Sequence, residues 1–426
     1  VWYDQNGTPK LKIETDYNET EKSFKLKITQ ETKLNNNDYT ALHMPFHLSL
    51  YASNGEKLKI DNGGKYELKD KESVFIFNDI SSPPVMSLNE NYTAPVIIDY
   101  AYTQEELSTL MAYDQDDFNR YNSSYKLIQN EIENLREQLI SGNEMKLSDT
   151  FYSAYKILLT DETLDPAFKA YAISIPGVME LNNKREKFDF DYLGEAIDFM
   201  KFQLASNLQD QLVSIINELE QKGEFSLSAK AMGERDLKAV ALNLLYSGKT
   251  GAAYDLIYSH FQNATNMTEE YGALAALSKN ENPYREKATQ AFYTKWKDET
   301  LIMQKWLSLQ ARSDDSNVAK IQDLEKLEIY DKKVPNLLRS LISGFAAGNF
   351  TQFHAKDGSG YKFYADKIIE VDGFNPQIAA GMCKRFGFLN KLDESRSKLL
   401  TDQLLRIKAV DKLSSDTLEV VTKNLG

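Results

Sequence analysis

Two of the four histidines in this 426-residue chain stand four positions apart, in the segment ALHMPFHLSLY. In a helix, His43 and His47 would share one face, where two imidazoles can bind zinc, and the H-E-x-x-H motif adds a glutamate as general base. In this segment Met44 takes the position of that glutamate, and Pro45 disfavours a helix interior. The strict alternation of apolar and other residues indicates a β-strand instead. We therefore predict two surface or half-buried strand histidines and no metal site.

The remaining reactive residues do not form a catalytic set. His260 and His354 are single histidines without a ligand-spaced partner, and the chain has neither a G-x-S-x-G turn nor a Walker-type phosphate loop. Cys383 is the single cysteine, so no disulfide can form within the chain. Its setting, AAGMCKRFGF, is typical of a buried apolar position. We expect hydrogen-bonded or surface histidines and a structural thiol.

Composition and charge restrict the class of protein. Hydrophobic residues make up 42% of the chain, enough for a large buried core, and Asp plus Glu outnumber Lys plus Arg by 63 to 50. An acidic chain without a basic cluster is not expected to bind nucleic acid or an anionic membrane surface. The sequence also lacks a run of 18 apolar residues that would predict a transmembrane helix. We expect a cytoplasmic protein with no nucleic-acid and no membrane partner.

Residues 1–100 have the pattern of β-strands. In KSFKLKITQET, the side chains of Phe24, Leu26 and Ile28 would lie on one face and the intervening lysines on the other. Turn signals such as the Asn-Gly pair at 54–55 separate the strand segments, which is typical of β-hairpins. These features predict an N-terminal antiparallel β-sandwich.

Residues 101–426 have the pattern of α-helices, so the whole chain is predicted to be an α+β multidomain protein. TQEELSTLMAYD has a threonine N-cap and glutamates in its first turn. EAIDFMKFQLASNLQDQLVSIINELEQKG places apolar residues three and four apart, as in one long helix that ends at Gly223. Proline and glycine breakers recur at a spacing that suits helical hairpins of about 35–45 residues. We predict a large all-α domain of stacked helical hairpins, similar to an α-solenoid; a compact multi-helix bundle is the alternative.

Six motifs that follow one another along the chain carry a family resemblance. They are WYDQNGTPKLKI, LHMPFHLSLY, NATNMTEEYGALAAL, KWLSLQA, RSLISGFAAGNFTQFHAKDGSGYKFYADKI and NPQIAA. Together they strongly resemble bacterial aminopeptidase N, a zinc metallopeptidase of the gluzincin type. The resemblance covers essentially the whole chain, and it corresponds to the C-terminal half of that family: the β-sandwich and the helical C-terminal domain.

The resemblance implies a non-catalytic role for this chain. In the family, the zinc and the motifs H-E-x-x-H and G-x-M-E-N belong to a catalytic domain that precedes the sandwich, and neither motif occurs in this sequence. We therefore expect that the chain is inactive alone, and that its catalytic partner is a zinc domain of the same polypeptide. The missing initiator methionine agrees with a fragment. The helical domain is expected to close over the catalytic domain and to shape the cavity that admits peptide substrates.

The resemblance also implies substrate-cavity residues. The arginine of R-S-L-I matches Arg339, and the glutamine of N-P-Q matches Gln377. Arg339 could bind a peptide carboxylate in bidentate fashion, and a helix-surface or interhelix ion pair is the alternative. Gly381 stands where the family commonly has an arginine. His354, Gly358 and Tyr361 match a family signature for which we expect packing of a turn. For the chain as a whole, the alternative function is an independent peptide- or protein-binding module without enzymatic activity.

Overall fold

The computed structural model describes the chain over residues 1–31, 39–220 and 224–426. Strands come first in these ranges and helices follow them. This confirms the predicted α+β fold with an N-terminal sandwich and a large helical region. None of the helices in the described ranges combines the length and the apolar character that crossing a bilayer requires.

The strands form two sheets that share one core. Their bounds are β1 Lys10–Asn18, β2 Ser23–Glu31, β3 Met44–Tyr51, β4 Lys65–Leu68, β5 Glu72–Phe77, β6 Val85–Leu88 and β7 Ile97–Asp99. One sheet has the order β5-β2-β1-β7, and the other has the order β4-β3-β6. Apolar side chains from both sheets pack into a single buried cluster. The strand pairs are antiparallel except β1 and β7, which are parallel because β7 joins the sheet through a long connection rather than a hairpin.

The β1–β2 hairpin shows why this region folds as a sheet. Phe24, Leu26 and Ile28 are all buried in the shared core, as the alternation predicts. Successive side chains of a strand point to opposite faces, so the same alternation leaves Lys25 exposed. The predicted Asn-Gly turn is present too: Gly55 has φ +87°, a left-handed conformation that favours glycine.

Twenty α-helices follow the strands in the described ranges. In chain order they are α1 Gln104–Tyr113, α2 Asp117–Ile140, α3 Asp149–Thr160, α4 Pro166–Ala172, α5 Val178–Asn183, α6 Leu193–Asn207, α7 Gln209–Glu218, α8 Ala229–Tyr246, α9 Gly251–Asn263, α10 Met267–Leu277, α11 Arg285–Trp296, α12 Thr300–Arg312, α13 Val318–Leu324, α14 Pro335–Leu338, α15 Gly344–Gly348, α16 Phe350–Phe353, α17 Ser359–Asp372, α18 Pro376–Cys383, α19 Glu394–Lys408 and α20 Ser415–Leu425. A five-residue π-helical turn, Arg339–Ser343, joins α14 to α15.

Two compact units make up this structure. The N-terminal unit comprises Val1–Ile175 and Ser228–Leu237, and the C-terminal unit comprises Pro176–Leu227 and Lys238–Gly426. The N-terminal unit thus contains the sandwich and the first helices. The boundary between sandwich and helical domains at residue 100 stays a prediction.

Within each unit, helices pack on their nearest and next-nearest neighbours. In the N-terminal unit α1 packs on α2 and α3, and α2 packs on α4. In the C-terminal unit α17 packs on α18 and α19, while α20 packs on α18 and α19. This pattern is typical of stacked helical hairpins.

The helix boundaries follow local signals, with one correction. Thr103 caps α1 through a complete capping box with Glu106, as predicted. The predicted single long helix is wrong, because it divides into α6 and α7 at Leu208, whose φ of −116° and ψ of 20° are not helical. The apolar spacing continues across this break, so periodicity alone does not reveal it. The proposed end of that helix, Gly223, lies outside the described residues.

Candidate functional site

The histidine pair lies in the sandwich and not on a helix. His43 is exposed just before β3, with its Nε2 atom 3.3 Å from Glu67 Oε2, and His47 is half-buried within the strand. This confirms the strand prediction. Pro45 lies in the first half of β3, where the pairing is with β4, whereas the second half pairs with β6. Nowhere in the described ranges do three or more His, Cys, Asp or Glu side chains come together to hold a metal ion.

His354 is a core residue of the C-terminal unit. It is 2% exposed, and its Nδ1 atom lies 2.7 Å from the Tyr361 hydroxyl. Arg396 donates from Nε to the His354 carbonyl oxygen at 2.7 Å. Burial, assisted by the Arg396 charge, lowers the pKa of His354 to about 3, so the imidazole is neutral. Aromatic rings surround it, from Phe188, Phe190, Phe350, Phe353 and Phe388.

The glycines next to His354 have a packing role. Gly358 precedes α17 with φ +73°, and Gly360 leaves no room for a side chain because a Cβ there would lie 2.3 Å from the Phe353 carbonyl oxygen. This confirms that the HAKDGSGY motif packs a turn.

Cys383 is also buried, as predicted, and burial raises the pKa of its thiol to about 12. His260 is half-buried, and its pKa is lowered first by burial and then by the charge of Lys238.

Arg339 lies at the first position of the π-helical turn and is exposed. Its Nη1 atom donates to the Asn336 side chain at 3.4 Å, and the described residues offer its guanidinium no ion-pair partner. The apolar residues of the same turn, Leu341 and Ile342, are buried. Turns of π-helix are rare and frequently occur at functional sites. The apolar side chains of the turn therefore anchor it in the core, while the Arg339 guanidinium group is exposed to solvent.

Gln377 and Gly381 lie on the exposed face of α18. Asn375 caps this helix by accepting a hydrogen bond from the Ile378 N–H at 3.2 Å, and Pro376 stands at its first position. The Gln377 side chain in the first turn is exposed. A Cβ at Gly381 would meet nothing within 4 Å, so this position has room for a larger side chain. Arg339 and Gln377 thus lie on different helices of the same unit, both facing solvent.

A pair of half-buried lysines is a feature that the sequence reasoning missed. Lys201 of α6 and Lys279, two residues after α10, have Asp198 and Asp314 near them. Burial lowers the pKa of both lysines, that of Lys279 to about 8, with the Lys201 charge as the second cause for Lys279. The Lys279 ammonium lies 3.4 Å from the Asn243 carbonyl oxygen. Perturbed groups of this kind cluster at functional sites.

One sequence signal could have indicated the first of these lysines. Lys201 follows Ile197 by four positions and precedes Leu204 by three, so it interrupts the apolar face of α6. Lys279 carries no such signal, because it lies beyond the end of its helix. Its burial follows from the tertiary packing.

The fold thus consists of an immunoglobulin-like sandwich followed by stacked helical repeats. The chain belongs to the family described as "Domain of unknown function (DUF3458_C) ARM repeats", whose model matches residues 104–426. Residues 7–101 match the model described as "Domain of unknown function (DUF3458) Ig-like fold".

Curated relatives match along the whole chain. The chain is 30% identical to aminopeptidase N of Escherichia coli and 29% identical to aminopeptidase N of Haemophilus influenzae, and each match covers 100% of this chain. The matches cover 50% and 49% of those relatives, so the chain spans about half the length of the curated relatives it matches. These findings confirm homology to the C-terminal half of bacterial aminopeptidase N.

A solved structure has the same fold. The crystal structure of Legionella pneumophila aminopeptidase A in complex with aspartic acid superposes with a TM-score of 0.79 at 27% sequence identity. The superposition covers 99% of this chain and 49% of that protein. Its extent agrees with that of the sequence matches.

Proposed function

We propose that this chain is the non-catalytic C-terminal portion of a zinc-dependent aminopeptidase that removes N-terminal residues from peptides. The observation that carries this proposal is the match to aminopeptidase N over 100% of the chain and about half of each relative. In this proposal the sandwich domain ends near residue 100, and the helical domain closes over a catalytic domain of the same polypeptide. The whole protein works in the cytoplasm.

The residues of this chain do not fit a catalytic zinc site. His43 and His47 lie in and beside a strand, Met44 takes the place of the general-base glutamate, and the carboxylate next to His43 is a single glutamate. A hydrolytic zinc site needs three protein ligands and an open position for water. We therefore place the zinc and its ligands in the other half of the polypeptide.

In this proposal, Arg339 and Gln377 contact the peptide in the cavity. An exposed guanidinium without an ion-pair partner among the described residues can bind a peptide carboxylate through two parallel N–H···O bonds. Gln377 can donate and accept hydrogen bonds along a peptide backbone. The half-buried Lys279 adds a positive charge on the same unit. These groups bind and orient a peptide and leave the chemistry to the catalytic domain.

Activity measurements test the proposal directly. The 426-residue chain should not hydrolyse an alanyl chromogenic amide with or without added zinc, and the longer polypeptide that carries it should do so. Zinc-dependent turnover by the chain alone would refute the non-catalytic role.

The coding sequence before Val1 provides a second test. We expect it to encode a stretch of similar length with an H-E-x-x-H motif in the same reading frame. A stop codon and a start signal immediately before Val1 would favour the alternative, an independent peptide- or protein-binding module.

A further inference from the structure

A cavity in the N-terminal unit is not used by the proposed function. It has a volume of about 230 Å³ and lies between β6, the loop that follows β6, and α2. Its lining is divided about equally between apolar or aromatic residues and polar residues, and most of the polar ones come from α2. A lining of this kind suits an amphipathic ligand, since its apolar part can lie on the aromatic and aliphatic side chains and its polar part can be hydrogen-bonded. An apolar cavity of about 150 Å³ holds one benzene molecule, so this one has room for a ring and a short polar tail.

Three residues of α2 line the cavity at intervals of four. They are Phe118, Asn122 and Lys126, and side chains at this spacing lie along one face of a helix. Their order is aromatic, amide and ammonium. A ligand lying along this face would therefore meet an apolar surface at one end and hydrogen-bond donors at the other.

The positive charge in the cavity has no counter-ion among the described residues. Lys126 lies with its Nζ atom 5.6 Å from the centre of the Tyr102 ring, and no described carboxylate lies within ion-pair distance of it or lines the cavity. Partial burial alone lowers its pKa, which shows that neighbouring acids do not compensate the desolvation. Lys126 is exposed to solvent, so its ammonium group lies at the open rim of the cavity. The Asn122 side chain likewise has no hydrogen-bond partner in the part of the chain that the structure describes.

Two exposed aromatic residues, Tyr92 and Phe118, form the aromatic entrance of the cavity. They are 57% and 50% exposed, and their ring centres lie 5.1 Å apart in an edge-to-face arrangement. Tyr92 has φ +53°, a strained conformation for a bulky residue. Hydrogen bonds hold this loop in place: the Asn91 N–H donates to Asp116 Oδ2 at 2.6 Å, and the Asn89 amide donates to the Ala94 carbonyl at 2.9 Å. Strain that the surrounding structure enforces often occurs at ligand-binding sites.

We propose that this cavity binds a small amphipathic monocarboxylate. The apolar part of the ligand lies at the aromatic entrance, and its carboxylate accepts hydrogen bonds from Lys126 and Asn122. Since the lining residues contain no acid to pair with an ammonium group, the site should prefer a simple carboxylic acid to an amine. The site belongs to the N-terminal unit, whereas Arg339 and Gln377 belong to the C-terminal unit, and it does not depend on the proposed aminopeptidase role.

Calorimetric titration with 3-phenylpropionate tests the site. The whole polypeptide that contains residues 1–426, and the 426-residue chain, should both bind it. 3-Phenylpropan-1-ol and 2-phenylethylamine, which lack the carboxylate, should bind about tenfold more weakly or less, since a charge-assisted hydrogen bond corresponds to about that factor. Equal binding of the acid and the alcohol would overturn the assignment. Binding to the chain but not to the whole polypeptide would also overturn it, since another segment would then fill the cavity.

Two variants and a matched control separate the site from surface charge. Lys126→Met should weaken 3-phenylpropionate binding about tenfold, whereas Lys156→Met, which changes an exposed lysine of α3 outside the cavity, should leave it unchanged. Tyr92→Gly removes an aromatic ring from the entrance, so it should weaken binding. It should not lower the melting temperature, because glycine adopts the positive φ of this position without strain. Unchanged binding by both Lys126→Met and Tyr92→Gly would exclude the site.

Discussion

Three motifs of the C-terminal unit match the same family, yet the structure buries the key side chain of one and exposes those of the other two. The HAKDGSGY motif is closed around His354, which is 2% exposed and hydrogen-bonded to Tyr361. The motifs that contain Arg339 and Gln377 leave both side chains in solvent. A buried polar group with a satisfied hydrogen bond is explained by packing, whereas an exposed one is free to bind a ligand. Burial therefore separates residues that a motif match alone treats alike.

The largest effect should come from the closed motif. Gly360→Ala places a Cβ 2.3 Å from the Phe353 carbonyl oxygen, and this backbone atom has little freedom to move. We expect the free energy of unfolding to fall by about 3 kcal/mol, measured by urea denaturation. The matched control is Gly381→Ala, where the Cβ meets open space within a helix. It should raise stability by about 0.5–1 kcal/mol, and equal losses at both glycines would remove the distinction between the two motifs.

The second prediction concerns acid stability. His354 has a pKa of about 3 in the folded protein against an ordinary value of 6.5, so its imidazole is protonated more readily in the unfolded chain than in the folded protein. A lowered histidine pKa contributes stability that is complete above pH 6.5 and is lost as the pH falls towards 3. Between about pH 7 and pH 5 this loss amounts to about 2 kcal/mol.

His354→Gln measures this contribution, because the glutamine does not titrate. Urea denaturation at about pH 7 and pH 5 should show that the variant loses about 2 kcal/mol less than the parent protein over this interval. If both proteins lose the same stability, His354 is not the responsible group.

The open motifs should affect substrate binding and not stability. In the proposed function only peptides reach Arg339, so Arg339→Ala in the whole enzyme should raise KM for peptides about five- to tenfold, with little change for single-residue amides. The free energy of unfolding should change by less than about 0.5 kcal/mol. Arg339→Lys serves as control, since lysine keeps the positive charge but lacks the planar guanidinium group that forms two parallel hydrogen bonds. An equal rise of KM for peptides and amides would assign Arg339 a structural role.

The smallest effect is expected at Gly381. Gly381→Arg should be tolerated, because a side chain there meets nothing within 4 Å, and it should stabilise α18 by about 0.5 kcal/mol. In the whole enzyme it should lower KM for peptides with a free carboxyl terminus, but not for the same peptides with an amidated terminus. Gly381→Met adds a similar length without the charge, and an identical response to both variants would exclude an electrostatic cause.

The sequence predicted the sandwich well because its signals are local. Alternation placed Phe24, Leu26 and Ile28 in the core, and the Thr103 N-cap formed the expected capping box with Glu106 in the first turn of α1. The sequence did not predict the break between α6 and α7 at Leu208, because the apolar spacing continues there and no proline or glycine marks the break. The parallel pairing of β1 and β7 also lay beyond local reasoning, because it joins strands that are far apart in the chain.

The sequence by itself determined that His43 and His47 lie in or beside a strand, and that Met44 replaces the base a zinc site would need. These conclusions depend on residue type and spacing, which a single chain displays directly. Tertiary structure decided the rest: it buried His354, exposed Arg339, desolvated Lys279 and opened a cavity beside Lys126. The physical reason is that burial and electrostatic environment arise from segments that meet only in the folded protein.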